Sequence, residues 1–235
     1  MSSGGTTASA NLEVFTDAGA LATAAASVIA GKLSQHRLYR LAATGGRSAG
    51  PVFDRLRYLE LGWQRIIVTL TDERFVDPSS PDSNERLVRE RLLQDRAANA
   101  IFVPLRAGGG TPEDDARAAE PRVRALLPFD AVMLGVGEDG HFASLFPGLP
   151  NLADALDPNG PRLVIGVAEA GLPPLVPRIS LTAKALLDAR LIVVMTSGEP
   201  KRALLERVAA DPDFAPPIAT ILRQSRVPVR LFWSP

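Results

Sequence analysis

The sequence predicts an α/β fold, a mostly parallel sheet with helices on both faces, and three observations carry that prediction. Strand-length apolar runs alternate with helix-length segments along the chain, the order that builds parallel sheets. Most of those runs are near-continuous rather than alternating, as strands covered on both faces are. The glycine-rich and polar stretches fall directly after strands, where open α/β sheets bind ligands.

Taken in order, the alanine-rich run 18–30 reads as a helix packed on the sheet. It is too short and too weakly hydrophobic to cross a bilayer, and Asp17 and Lys32 bracket it. Strands are expected over 38–43, 65–70, 100–105, 130–134, 162–167 and 191–196, with a final one over 228–233. Helices are expected between them, over 49–60, 84–95, 112–127 and 199–209, with Asp82 or Ser83 capping the second. The 235 residues suit one domain, with residues 1–10, small and polar, as a flexible tail.

Composition narrows the function. Acidic and basic residues balance at 26 each, so no global field draws the chain to nucleic acid or a membrane. A site for an anion must be local. The absence of cysteine excludes disulfides, thiolate metal sites and cysteine nucleophiles, and suits a reducing compartment. The first ten residues lack the charged-then-apolar layout of a signal peptide, so a cytoplasmic location is expected. Nothing in the sequence sets the oligomeric state; a monomer or weak homodimer is the expectation.

Three loops converge on the expected ligand edge and bear chemistry. After the first of those strands, Thr44-Gly45-Gly46-Arg47-Ser48 has the form of a phosphate cradle: two glycines, then a hydroxyl leading a helix, whose free N–H groups and dipole favour an anion. It is neither Gly-x-x-x-x-Gly-Lys-Ser/Thr nor Gly-x-Gly-x-x-Gly, which argues against ATP and NAD. Thr71-Asp72-Glu73-Arg74 follows the second strand, with Asn84 downstream. Gly135 to His141 follows the fourth. Gly108-Gly109-Gly110 lies at the same edge and is read as a flexible rim.

Two histidines exist. His36 sits at a helix end beside Arg37, where a surface or capping role is expected. His141 follows a strand and three glycines, with Asp139 two residues before it, close enough to hold the imidazole in one tautomer. It is the expected catalytic group. Arg178 and Lys201 are each expected near a helix start, where a cation is unfavourable unless an anion lies beside it.

Several segments together resemble one family. Gly135-Val136-Gly137-Glu138-Asp139-Gly140-His141-Phe142-Ala143-Ser144-Leu145-Phe146-Pro147-Gly148 is similar to the signature of the 6-phosphogluconolactonases. Residues 71–76 with Asp82-Ser83-Asn84, then Arg178-Ile179-Ser180-Leu181-Thr182, then Ser197-Gly198-Glu199 with Lys201 match in the family's order. In the related glucosamine-6-phosphate deaminases the histidine leads into an Ala-Phe-Asn-Glu-Pro-like stretch. Here Ala143-Ser144-Leu145-Phe146-Pro147 stands in its place, without that acid. One departure is Arg47-Ser48-Ala49, where the family usually has Ser or Thr and then Pro after the two glycines.

The resemblance implies a Rossmann-like three-layer α/β sandwich, as in the sugar-phosphate isomerases and deaminases. It implies a hydrolase that opens 6-phosphoglucono-1,5-lactone in the oxidative pentose phosphate pathway, with no cofactor and no metal. His141 would activate water, Asp139 orient it, and Arg74 face the oxyanion or the sugar hydroxyls. Gly45, Gly46, Arg47, Ser48, Arg178 and Lys201 would hold the phosphate, with Asp72, Asn84 and Gly137 lining the site. Two rivals stay open: an isomerase or deaminase with Asp72 as base, and a sugar-phosphate sensor without turnover.

Overall fold

The computed structural model describes residues 11–33, 38–171 and 173–235. The expected tail and His36 lie outside them.

The strands are β1 (Leu12–Val14), β2 (Tyr39–Ala43), β3 (Ile66–Leu70), β4 (Asp72–Arg74), β5 (Ile101–Phe102), β6 (Ala131–Gly135), β7 (Val164–Val167), β8 (Arg178–Leu181), β9 (Ile192–Ser197) and β10 (Val229–Ser234). The helices are α1 (Ala18–Lys32), α2 (Ala49–Leu56), α3 (Asn84–Arg91), α4 (Pro112–Leu126), α5 (Leu152–Leu156), α6 (Ala183–Leu186), α7 (Glu199–Ala210) and α8 (Ala219–Leu222). Asp17 starts α1, its carboxylate accepting the Ala20 N–H at 2.8 Å. Such caps contribute about 1 kcal/mol. Leu21, Ala22, Ala25, Ala26 and Ile29 then recur on the buried side of α1, which packs on β9 and β10 as expected. No helix among the described residues is long and apolar enough to cross a membrane.

Seven strands form one parallel sheet in the order β1-β10-β9-β6-β2-β3-β5. Its middle is apolar on both faces: Leu41, Val68, Val132, Met133, Val193 and Val194 are all fully buried. Right-handed crossovers put the helices following β1, β2 and β3 on one face and those following β5 and β9 on the other. Packing agrees, since α1 meets α2 and α2 meets α3, whereas α4 lies against β7 and β8. The expected α/β sandwich with its parallel sheet is what the chain forms.

Four expectations need correction. Residues 162–167 form β7, but in a separate antiparallel sheet of order β4-β8-β7. An apolar run reports burial on both faces, here under α4, and says nothing about the direction of its partner. The expected strand 100–105 is only two residues long, because Ile101 sits on a half-exposed sheet edge and Pro104 has no N–H to extend the ladder. Asp72-Glu73-Arg74 is a short strand rather than a loop. Arg178 opens strand β8, not a helix; Arg178, Ile179, Ser180 and Leu181 alternate as a strand does.

Chain order places the site. From β2 the chain runs to β3 on one side, and from β6 it runs towards β9 on the other, yet β2 and β6 are neighbours. Connections diverging from adjacent strands leave a crevice beyond their carboxyl ends.

Candidate active site

That crevice holds a cleft of about 400 Å³. Every residue expected to take part in catalysis or binding except Asp139 lines it: Gly45, Gly46, Arg47 and Ser48 after β2; Asp72 and Arg74 on β4; Asn84 on α3; Gly137 and His141 after β6; Arg178 on β8; and Lys201 on α7. The Gly108–Gly110 rim does not line it; Gly109 N–H donates to Asp115 Oδ1 instead.

Asp139 stands behind the histidine. Its Oδ1 lies 2.6 Å from His141 Nδ1 and accepts the His141 backbone N–H at 3.1 Å. The Nδ1–H tautomer follows, which leaves Nε2 as the basic nitrogen. Burial pushes the Asp139 carboxyl up, but its hydrogen bonds and charge interaction with His141, with a further backbone hydrogen bond, together outweigh that, and the net shift is downward. The turn itself is tight, with Gly137 N–H donating to His141 O at 2.9 Å. A Cβ on residue 137 would collide with the imidazole, so only glycine fits beside this ring. The Phe146 ring packs against the imidazole at 4.5 Å between centroids.

Cations gather in two groups. Lys201 is half-buried on the first turn of α7; burial pushes its ammonium pKa down, Arg47 pushes it further, and Glu138 opposes both. Neither Lys201 nor Arg47 has an ion pair among the described residues. Both α2 and α7 begin without a side-chain cap, and Ser48 before α2 and Lys201 on α7 line the same cleft. An anion would answer all of these.

Arg178 and Arg74 form the second group as directly opposed partners on β8 and β4. Like charges in that register destabilise a sheet unless something compensates. Burial lowers the Arg178 pKa, Arg74 lowers it more, and Asp72, Glu73 and Asp82 pull back. Arg178 Nη2 donates to the Pro174 carbonyl at 2.9 Å, and Arg74 Nη1 to the Asp82 carbonyl at 2.6 Å. Arg74 Nε is buried without a hydrogen-bond partner among the described residues.

Sequence reasoning missed what orients β4. Asp72 and Arg74 face the cleft, while Glu73 accepts the N–H groups of Arg74, Asn84 and Glu85 and the Ser83 hydroxyl, at 2.6–3.0 Å. It clamps the start of α3 to β4. Period-2 alternation within Asp72-Glu73-Arg74 was the available signal. Ser83 is the cap of α3, accepting from Arg86 N–H. Asn84 Nδ2 donates to Asp72 O at 2.8 Å, and the Asn84 amide lies so close to Gly45 that a Cβ there would overlap it. Among the described residues no three His, Asp or Glu side chains gather as metal ligands would.

The fold and cleft define an α/β enzyme built around a histidine–carboxylate pair and two cationic groups suited to a phosphorylated substrate. Residues 16–233 match the family model described as glucosamine-6-phosphate isomerases/6-phosphogluconolactonase. The 6-phosphogluconolactonase of Caulobacter vibrioides is 46% identical over 227 residues, covering 95% of this chain and 97% of that one. That of Rhizobium meliloti is 40% identical, covering 97% of this chain and 100% of its own. The crystal structure of a 6-phosphogluconolactonase from Shewanella baltica superposes with a TM-score of 0.90 at 34% identity, over 98% of this chain and 100% of the other. The chain is an enzyme of the 6-phosphogluconolactonase family.

Proposed function

We propose that this enzyme hydrolyses 6-phosphoglucono-1,5-lactone to 6-phosphogluconate, with His141 as general base. The pairing of His141 Nδ1 with Asp139 at 2.6 Å carries the reading, because it leaves Nε2 unprotonated in the neutral ring. Nε2 takes a proton from water as the water oxygen attacks C1. The tetrahedral oxyanion is met by Arg74, whose guanidinium is held by the Asp82 carbonyl and keeps further N–H groups for the cleft. Collapse breaks the C1–O5 bond, and the imidazolium returns the proton to the ring oxygen. Asp139 stabilises the cation formed between those steps.

The 6-phosphate binds at the open starts of α2 and α7, with Gly45, Gly46, Ser48, Arg47 and Lys201; Arg178 closes the cleft from the small sheet. Such a binder without catalysis would need the phosphate seat but not the ordered His141–Asp139 pair. Deamination with Asp72 as base is disfavoured too, because one Asp72 oxygen is taken by the buried Ser144 hydroxyl at 2.7 Å. A location in the cytoplasm fits the reading, as the substrate is an intracellular sugar phosphate.

His141→Ala tests the mechanism. Catalysed hydrolysis, with the spontaneous rate subtracted, should fall by ~10²-fold or more while 6-phosphogluconate still binds. A variant keeping more than about a tenth of the rate would remove His141 from the role of base.

A further inference from the structure

Of the polar residues in the signature segment that the mechanism leaves unused, Glu138 is exposed and Ser144 is fully buried. Its hydroxyl donates to Asp72 Oδ2 at 2.7 Å, and its backbone N–H donates to Ser180 Oγ at 3.1 Å. Ser180 Oγ in turn donates to the Leu181 carbonyl at 3.0 Å. These contacts join three separate stretches of chain: the loop bearing His141, strand β4 bearing Arg74, and strand β8 bearing Arg178. Among the described residues no other side-chain hydrogen bond links the His141 loop to β4.

The backbone carries a second sign that this link is selected. Ala143, immediately before Ser144, has φ of +48°, a conformation that costs a non-glycine residue on the order of 1 kcal/mol or more. That turn lets His141 line the cleft while Ser144, three residues on, points inward. Asp72 itself is buried, and a buried carboxylate that loses a donor is left poorly solvated.

We propose that Ser144 is a positioning residue for the hydrolysis. Its hydroxyl fixes Asp72, and through β4 it sets the distance between Arg74 and His141. The inference rests on the reading above, in which those two residues serve one transition state. Ser144 touches no reacting atom. Its loss therefore shows in the chemical step, and only while Asp72 is there to be held.

The experiment is a double-mutant cycle with Ser144→Ala, Asp72→Ala and the double variant, assayed below the melting point of all three. Ser144→Ala should lower kcat and kcat/KM equally, by about ten- to a hundredfold, the worth of a hydrogen bond to a charged group. Added to Asp72→Ala, which leaves no acceptor for the hydroxyl, it should cost nothing further. If Ser144→Ala does not fold, Ser144→Cys replaces it in the cycle, keeping the volume and weakening the donor. Additive losses, or an unchanged kcat, would overturn the proposal. His141→Ala measured alongside separates the two claims: a fully active His141→Ala defeats the base assignment, whereas an inactive one with an unaffected Ser144→Ala defeats only the role of Ser144.

Discussion

One oxygen of Asp139 accepts both the His141 ring Nδ1–H, at 2.6 Å, and the His141 backbone N–H, at 3.1 Å. The side chain is thus oriented by the same atom that pins its own main chain. Little rotation of the imidazole is compatible with both bonds. Asp139→Asn keeps an acceptor but removes the charge that balances the imidazolium. Its kcat should fall at least about tenfold, with the melting temperature nearly unchanged and 6-phosphogluconate binding retained. Wild-type turnover in Asp139→Asn would show that the carboxylate only shapes the loop.

The glycine beside the ring gives a steric test of the same geometry. Gly137→Ala puts a methyl group where the imidazole lies, so the ring must swing away or the turn must open. Catalysed hydrolysis should drop by ~10²-fold, as for loss of the base itself. An active Gly137→Ala enzyme would mean that the ring works from another position than the one seen.

Lys201 predicts how binding depends on pH. Burial and the nearby Arg47 hold its ammonium below the ordinary lysine value of about 10.4. A bound phosphate favours the charged form and raises that pKa, so binding takes up protons on the alkaline side. Affinity for 6-phosphogluconate should weaken as pH rises through the depressed value, earlier than a free lysine would allow, and calorimetry in buffers of different ionisation enthalpy should register the uptake. Lys201→Ala should abolish that proton uptake. It should also lower kcat/KM on the phosphorylated lactone at least about tenfold while leaving unphosphorylated gluconolactone nearly unaffected. Equal losses on both substrates would place Lys201 at the carbonyl instead.

Acid stability has a definite sign. Asp139 has its pKa depressed in the folded protein relative to an unfolded value of about 3.9. Its contribution is therefore fully present above the unfolded value and is lost as pH falls through the folded one. Urea midpoints should decline less steeply below about pH 4 in Asp139→Asn than in the parent chain. Parallel acid limbs for the two proteins would contradict this.

The clamp under β4 separates stability from chemistry. Glu73 accepts three backbone N–H groups and a hydroxyl, and Glu73→Gln turns one of its acceptor atoms into a donor facing donors. Destabilisation of about 1–3 kcal/mol is expected, read from denaturant midpoints, together with a fall in kcat because Arg74 is the next residue. Unchanged stability would show that Glu73 is not the clamp.

Much of this protein was legible in its sequence because it rests on local physics. Apolar runs punctuated by glycine and polar residues place β2, β3, β6, β9 and β10, since burial on both faces leaves a mark on each strand separately. The cradle at Gly45–Ser48 and the turn at Gly137–His141 were also visible. Their backbone demands are met by residues adjacent in the chain, and both directly follow strands, at the carboxyl ends where a parallel sheet binds ligands.

Other features depend on partners distant in sequence. Whether residues 164–167 join the large sheet or pair antiparallel with β8 is decided by what lies beside them, and their own apolar pattern suits either. Arg178 opposite Arg74, Ser144 on Asp72, and Glu73 across the start of α3 are each meetings between segments 10 to 104 positions apart. Sequence supplied the chemical groups and the turns that expose them. Tertiary structure alone chose which charges face one another, because a hydrogen bond or a like-charge contact depends on ångström distances that only the packed chain defines.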